Sequence, residues 1–140
     1  MENDFSSLKP FELIIPVTPE HIDLLNHVNN LIYVNWIQEA AVTHWNTCAE
    51  PQLKESIAFV IARHEIDYKY SARLGDTVVV KTWVGKTRKY LFERYTRIYR
   101  QSDSRVFVDA LSLWCPIDLK TMRPVRPSPE LISKWSVTEG

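Results

Sequence analysis

Asp23, His27, Asn29 and Asn30 lie close together in the polar connection Asp23-Leu24-Leu25-Asn26-His27-Val28-Asn29-Asn30, which leads into a strongly apolar segment. A carboxylate, an imidazole and two amides at such a place could carry out acyl transfer. The first N–H groups of a helix lack internal partners and carry the positive end of its dipole. They can hold the negative charge that grows on a carbonyl oxygen under attack. A carboxylate beside them can attack the carbonyl or draw a proton from water. Each residue also has a plain structural use. Asp23 suits an Asx-turn, Asn29 or Asn30 a helix N-cap, His27 a structural hydrogen bond, and Asn26 a left-handed turn position. Local chemistry leaves both readings open.

The flanking segments must position this cluster. Leu31, Val34, Ile37 or Gln38, Ala41, Val42 and Trp45 recur at helical spacing, with Ile32, Tyr33, Trp36 and Ala40 adding apolar flanks. The pattern predicts a helix to about Cys48 that is buried on several sides. Residues 11–17 alternate as a strand. Residues 57–71, 76–87, 91–101 and 105–118 are long and rich in β-branched and aromatic residues. The short polar joints 72–75, 86–90 and 102–104 make these strands antiparallel neighbours. A short helix is expected to end near Trp135. The fold class is therefore α+β, a long antiparallel sheet wrapped around a central helix, as one domain over 1–140. In 57–71, Val60, Ala62, His64, Ile66 and Tyr68 alternate with Ile57, Phe59, Ile61, Arg63, Glu65 and Asp67. Apolar residues thus occupy both faces of its first half, which reads as a subunit contact with sheets paired edge to edge. An edge covered twice within one chain is the alternative.

Hydrophobic residues make up 45% and charged residues 24%, the proportions of a globular protein. Basic and acidic residues both count 17, so net charge gives no reason to expect nucleic acid or a membrane as partner. Residues 1–10 carry no basic stretch followed by an apolar run, and no apolar run approaches bilayer length. A cytoplasmic location is the resulting expectation. Cys48 and Cys115 sit in unlike settings and read as free thiols. No two of His21, His27, His44 and His64 make a helical metal pair, so neither metal nor other cofactor is expected.

The string Asp23-x-x-Asn26-His27-Val28-Asn29-Asn30-x-x-Tyr33-x-x-Trp36 resembles the signature of the hot-dog-fold thioesterases. It is similar to both the 4-hydroxybenzoyl-CoA thioesterase-like enzymes and the plant acyl-ACP thioesterases. Glu39-Ala40-Ala41, Ile66-Asp67-Tyr68 and Gly75-Asp76 follow at family-like spacing. The resemblance implies a hot-dog fold, a homodimer or homotetramer, and hydrolysis of acyl-CoA, with acyl carrier protein as the alternative thiol carrier. It implies Asp23 as base or nucleophile and the backbone N–H near Asn30 as the group polarising the thioester. His27 would position substrate, water or the Asp, and Asn29 and Tyr33 would lie against the substrate. Two departures limit the transfer. Gly usually stands where this chain has Asn26, and the plant enzymes carry Asn where this chain has Leu25. A mechanism needing that amide is not expected.

His64 reads either as reaching the site from a strand, in its own or a neighbouring subunit, or as a core histidine. Arg88, within Lys86-Thr87-Arg88-Lys89, and Arg123 and Arg126 are candidates for the CoA phosphates. Glu39 reads as exposed or as a structural hydrogen-bonding group. Trp36, Trp45, Trp83 and Trp114 read as core. Two rivals stand beside the thioesterase. An acyl hydratase on the same fold needs a His–acid pair, and no such motif is recognisable. A non-catalytic acyl-CoA-binding domain would use the same pocket without turnover.

Overall fold

Valine and threonine crowd the stretch from Thr77 to Val84, and β-branched side chains favour the pleated, half-buried surface of a sheet. In the computed structural model, which describes residues 6–137, this stretch opens β3 (Thr77–Arg88). It is an interior strand of a five-stranded antiparallel sheet. The order is β1 (Phe11–Pro16), β3, β4 (Leu91–Arg100), β5 (Val106–Asp118) and β2 (Ile57–Tyr68). The long helix α1 (Asn30–Cys48) packs on one face. Its Tyr33, Trp36, Ile37 and Ala40 close on Val78, Val80, Ile98, Phe107, Val108 and Ala110. Two shorter helices, α2 (Pro51–Ser56) and α3 (Pro129–Trp135), join Val84 and Phe92 in a second apolar cluster. This is the α+β arrangement expected from the sequence. The reading of residues 1–10 falls partly outside the described residues. Among those described, no helix is long and apolar enough to cross a membrane.

Four expectations need correction. First, the joint at 72–75 is not a hairpin: β2 pairs with β5 at the edge of the sheet opposite β1. The chain leaving β2 is held elsewhere. Lys69 and Tyr70 donate their N–H groups to the Phe107 carbonyl (2.7 and 3.2 Å), and Val28 donates its own to the Ala72 carbonyl (2.9 Å). The joint therefore crosses past the N-terminal end of α1 before Gly75, at φ 96°, turns it into β3.

Second, β2 is not apolar on both faces in the way simple alternation suggests. Its register against β5 slips between Ile61 and Arg63, so that Ile61 faces Trp114 and His64 faces Ser112. One extra residue restores the phase. Ile57, Phe59, Ile61, His64, Ile66 and Tyr68 thus share the inner face, leaving Ala58 and Val60 outside. Third, α1 is buried along one stripe only: Tyr33, Trp36, Ile37, Ala40, Ala41 and His44. Leu31 (70% exposed) and Val42 (49%), both assigned to the apolar stripe from spacing, face outward. Fourth, the stretch between α1 and β2, to which the sequence pattern assigns no element, forms α2. It begins on Pro51, a residue suited to the first helical turn.

Candidate active site at the entrance to helix α1

Asp23 opens a short closed loop. Its N–H donates to the His27 carbonyl (2.9 Å), and its Oδ1 accepts from the N–H groups of Leu25 (2.9 Å) and His27 (3.3 Å). Asn26 takes the left-handed conformation at φ 61°, as its place in the turn required. A bridge between Ile22 and Val28 and a bond from the Asn29 N–H to the His21 carbonyl (2.9 Å) seal the loop. Asp23 is therefore an Asx-turn residue, and it keeps a second carboxylate oxygen with no hydrogen bond among the described residues. The loop delivers the chain directly into α1.

Asn29 is the N-cap. Its Oδ1 accepts from the Leu31 N–H (2.9 Å), while its carbonyl accepts from the Ile32 N–H (2.9 Å). The N–H of Asn30 makes no hydrogen bond among the described residues, and the residue is exposed. One helix-end donor is thus left open beside the Asp23 loop. The side chains of His27 and Asn30 make no hydrogen bonds among the described residues, and His27 is half-buried.

Tyr33 anchors the cluster from below. Its ring is 1% exposed and its hydroxyl accepts the Ala72 N–H (2.8 Å). Burial pushes its phenol up, the Ala72 N–H offsets part of that, and the Asp76 and Asp23 carboxylates add to the rise. Tyr33 therefore stays neutral and tilts against Tyr68 of β2 (6.0 Å between centroids). Tyr33→Phe orphans the buried Ala72 N–H at a cost of about 1–3 kcal/mol. The expected result, read by chemical denaturation, is lower stability together with a raised KM, since Ala72, whose carbonyl takes the Val28 N–H, loses its own hold on Tyr33.

The structure does not bring the remaining candidates to this cluster. His64 is held in the interior, with Nδ1 at 2.7 Å from Ser112 Oγ and its ring edge-on to Trp114 (6.5 Å). Burial lowers its pKa, favouring the neutral ring, and its Nε2 is buried without a partner. From Tyr68 it is roughly 13 Å along the strand at about 3.3 Å per residue. Arg88 ends β3 and gives its Nε to Glu93 Oε2 at 2.7 Å. Thr77, at the other end of β3, follows Asp76, whose carboxylate bears on Tyr33, so roughly 36 Å of strand path at about 3.3 Å per residue separates Arg88 from that end. Within one chain Arg88 cannot serve a thioester at Asn30. Arg123 and Arg126 are exposed beyond the same far end of the sheet.

Sequence reasoning missed several groups. His21 accepts the Thr18 N–H (3.0 Å) and sits edge-on to Trp36 (5.2 Å). His44 is fully buried against Phe11, Trp135 and the guanidinium of Arg94. Leu24 (104% exposed), Leu25 (75%) and Leu31 surround Asp23 with bare apolar surface. Their composition was visible in the sequence. Their exposure was not, because it depends on what packs over the loop.

Comparison with known proteins agrees with this fold. Residues 17–135 match the family model of the thioesterase-like superfamily. The long-chain acyl-CoA thioesterase FadM of Escherichia coli is 27% identical over 125 residues, covering 86% of this chain and 92% of FadM. The crystal structure of YbaW, a probable thioesterase of Escherichia coli, has a TM-score of 0.77 at 26% identity, over 89% of this chain and 95% of that one. A Thermus thermophilus thioesterase complexed with coenzyme A and zinc has a TM-score of 0.73 at 24% identity, over 89% of this chain and 94% of its own.

Proposed function

This chain belongs to the thioesterase-like superfamily of hot-dog enzymes, and from that premise we propose that it hydrolyses acyl-CoA at the entrance to α1 with Asp23 as the catalytic carboxylate. The observation that carries the assignment is the pairing of two unused groups. Among the described residues, one carboxylate oxygen of Asp23 has no hydrogen-bond donor and the N–H of Asn30 no acceptor, both beside the first turn of a 19-residue helix.

The thioester carbonyl oxygen would rest on the Asn30 N–H, where the helix dipole favours the charge that develops there. Asp23 takes a proton from water as the water oxygen bonds to the carbonyl carbon. Collapse of the tetrahedral species breaks the C–S bond, and the departing thiolate takes up the proton. In the nucleophilic variant Asp23 itself bonds to the carbonyl carbon, and the C–S bond breaks to release the thiolate and leave a mixed anhydride. Water then cleaves the anhydride to the free acid and the Asp23 carboxylate, its spare proton going to the thiolate. Single turnover in 18O water separates the two, since only the anhydride route can place label in the protein. His27 stands across the closed loop from Asp23 and would orient water or substrate. Activity is tested by trapping released thiol from a panel of acyl-CoAs, with an acyl carrier protein substrate alongside. No release from any member would remove the reading.

The site is open in a single chain, whereas electrostatic catalysis gains from excluding water. A second copy supplies the cover in this proposal. β2 is 12 residues long, pairs on one side only, and leaves Val60 44% exposed. A long free edge of this kind pairs readily with another strand. Sedimentation should give twice the 16.4 kDa chain mass. Val60→Lys, which sets like charges near a two-fold edge, should shift the protein toward monomer and lower activity. Full activity from a wild-type monomer would refute this.

A further inference from the structure

The C-terminal half of α1 and the beginning of β2 border a cavity of about 270 Å³, well apart from Asp23. Trp45, Phe59, Phe92, Trp135 and Val84 make its walls largely apolar. Arg94 also lines it. This arginine is only 7% exposed, and it has no carboxylate partner among the described residues. Its hydrogen bonds run from Nη1 alone, to Thr82 Oγ1 at 3.1 Å and to His44 Nδ1 at 3.0 Å. The neighbouring Glu93 has its oxygens occupied by Arg88 Nε, the Lys86 N–H and the Tyr95 hydroxyl.

A buried charge with only neutral acceptors is costly. Burial draws the Arg94 pKa down to about 10, which still leaves the guanidinium charged at neutral pH. A second observation points the same way. Trp114, another wall residue, is 8% exposed and its Nε1 is buried with no hydrogen-bond partner among the described residues. Two kinds of donor thus lack an acceptor around one apolar cavity. The missing partner is an anion with an apolar body, and a planar carboxylate matches the guanidinium fork.

We propose that this cavity is a carboxylate-binding site, seating the carboxylate of an apolar acid on the free edge of Arg94 and its hydrocarbon or aryl body among the tryptophans and phenylalanines. Two sources share that chemistry. One is a free carboxylic acid, the product class of thioester hydrolysis. The other is a carboxylate at the far end of an acyl group still joined to CoA, which rests on the functional reading above. Along α1, Asn30 and the Ala41–Trp45 stretch are separated by roughly 16–22 Å at about 1.5 Å per residue. The free acid is thus a ligand distinct from a thioester bound at the same chain's helix entrance.

The test titrates octanoate and its neutral counterpart 1-octanol into the full chain, reading tryptophan fluorescence and thermal shift. Octanoate should bind at least about tenfold more tightly than the alcohol, and Arg94→Met should erase that preference. Asp23→Asn should leave it unchanged, so failure of the catalytic reading would not disturb this arm. Equal affinity for acid and alcohol in the wild type overturns the site, whatever the variant does. Preference that survives Arg94→Met also overturns it. Hexadecanedioyl-CoA and hexadecanoyl-CoA, whose acyl chains are long enough to cross that separation along α1, then separate the sources. A KM raised by Arg94→Met for the first alone assigns the carboxylate to the substrate, and unchanged KM values with lost octanoate binding assign it to a free acid.

Discussion

Asp23→Asn should lower kcat/KM for acyl-CoA hydrolysis by at least about a hundredfold, or about 2.7 kcal/mol of transition-state stabilisation, while leaving the fold intact. The prediction is sharp because the proposed mechanism gives Asp23 a second role, separable from its place in the turn. Its Oδ1 holds the turn by accepting from Leu25 and His27. An asparagine side-chain oxygen can accept the same two bonds, so the loop and the N-terminus of α1 keep their positions. What the amide cannot do is take a proton from water or attack a carbonyl. Asp23→Ala removes both roles and should fall at least as far, with some loss of stability. Thiol release and thermal melting on the two variants give the answer together. An active Asn variant beside an inactive Ala variant would reassign Asp23 to the turn alone.

Much of this site was legible in the sequence because its parts are local. The turn, the left-handed Asn26 and the cap all lie within a few residues, where side-chain chemistry specifies backbone geometry without help from the rest of the chain. Local chemistry left open which of Asn29 and Asn30 is the cap, and whether Asp23 does more than close its turn. The long strands were also legible, since their composition is strongly β-forming. Strand order was not. The joint at 72–75 has hairpin length, and only the distant Phe107 and Val28 show that it crosses over instead. The slip in β2 was hidden for a related reason: one extra residue reverses every later side chain, and no glycine marks it. Arg94 reads in sequence as one more alternating polar residue of β4. Its burial is decided by His44, fifty positions earlier, which no spacing rule connects to it.

Phe107→Ala is the second large expected effect, and it tests how the sheet supports the site. Phe107 is fully buried in the main core, so its truncation should cost about 3–5 kcal/mol. That is a large share of the roughly 5–15 kcal/mol that holds a domain of this kind together. The melting temperature should fall by roughly 10–20 °C, read calorimetrically. The ring also stacks on Tyr70 (6.3 Å) and lies beneath the Arg100 guanidinium (5.3 Å), while its carbonyl receives Lys69 and Tyr70. Those contacts fix the segment leading to Ala72, which in turn takes the Val28 N–H and gives its own to Tyr33. The damage should therefore reach the helix entrance before global unfolding. Hydrogen exchange at Val28 and Ala72 should accelerate more than exchange at Val80, which sits on β3, two strands away from Phe107 in the sheet. If all three sites accelerate equally, the crossing segment carries no special coupling between sheet and helix entrance, and the Asp23 loop depends on the core only through overall stability.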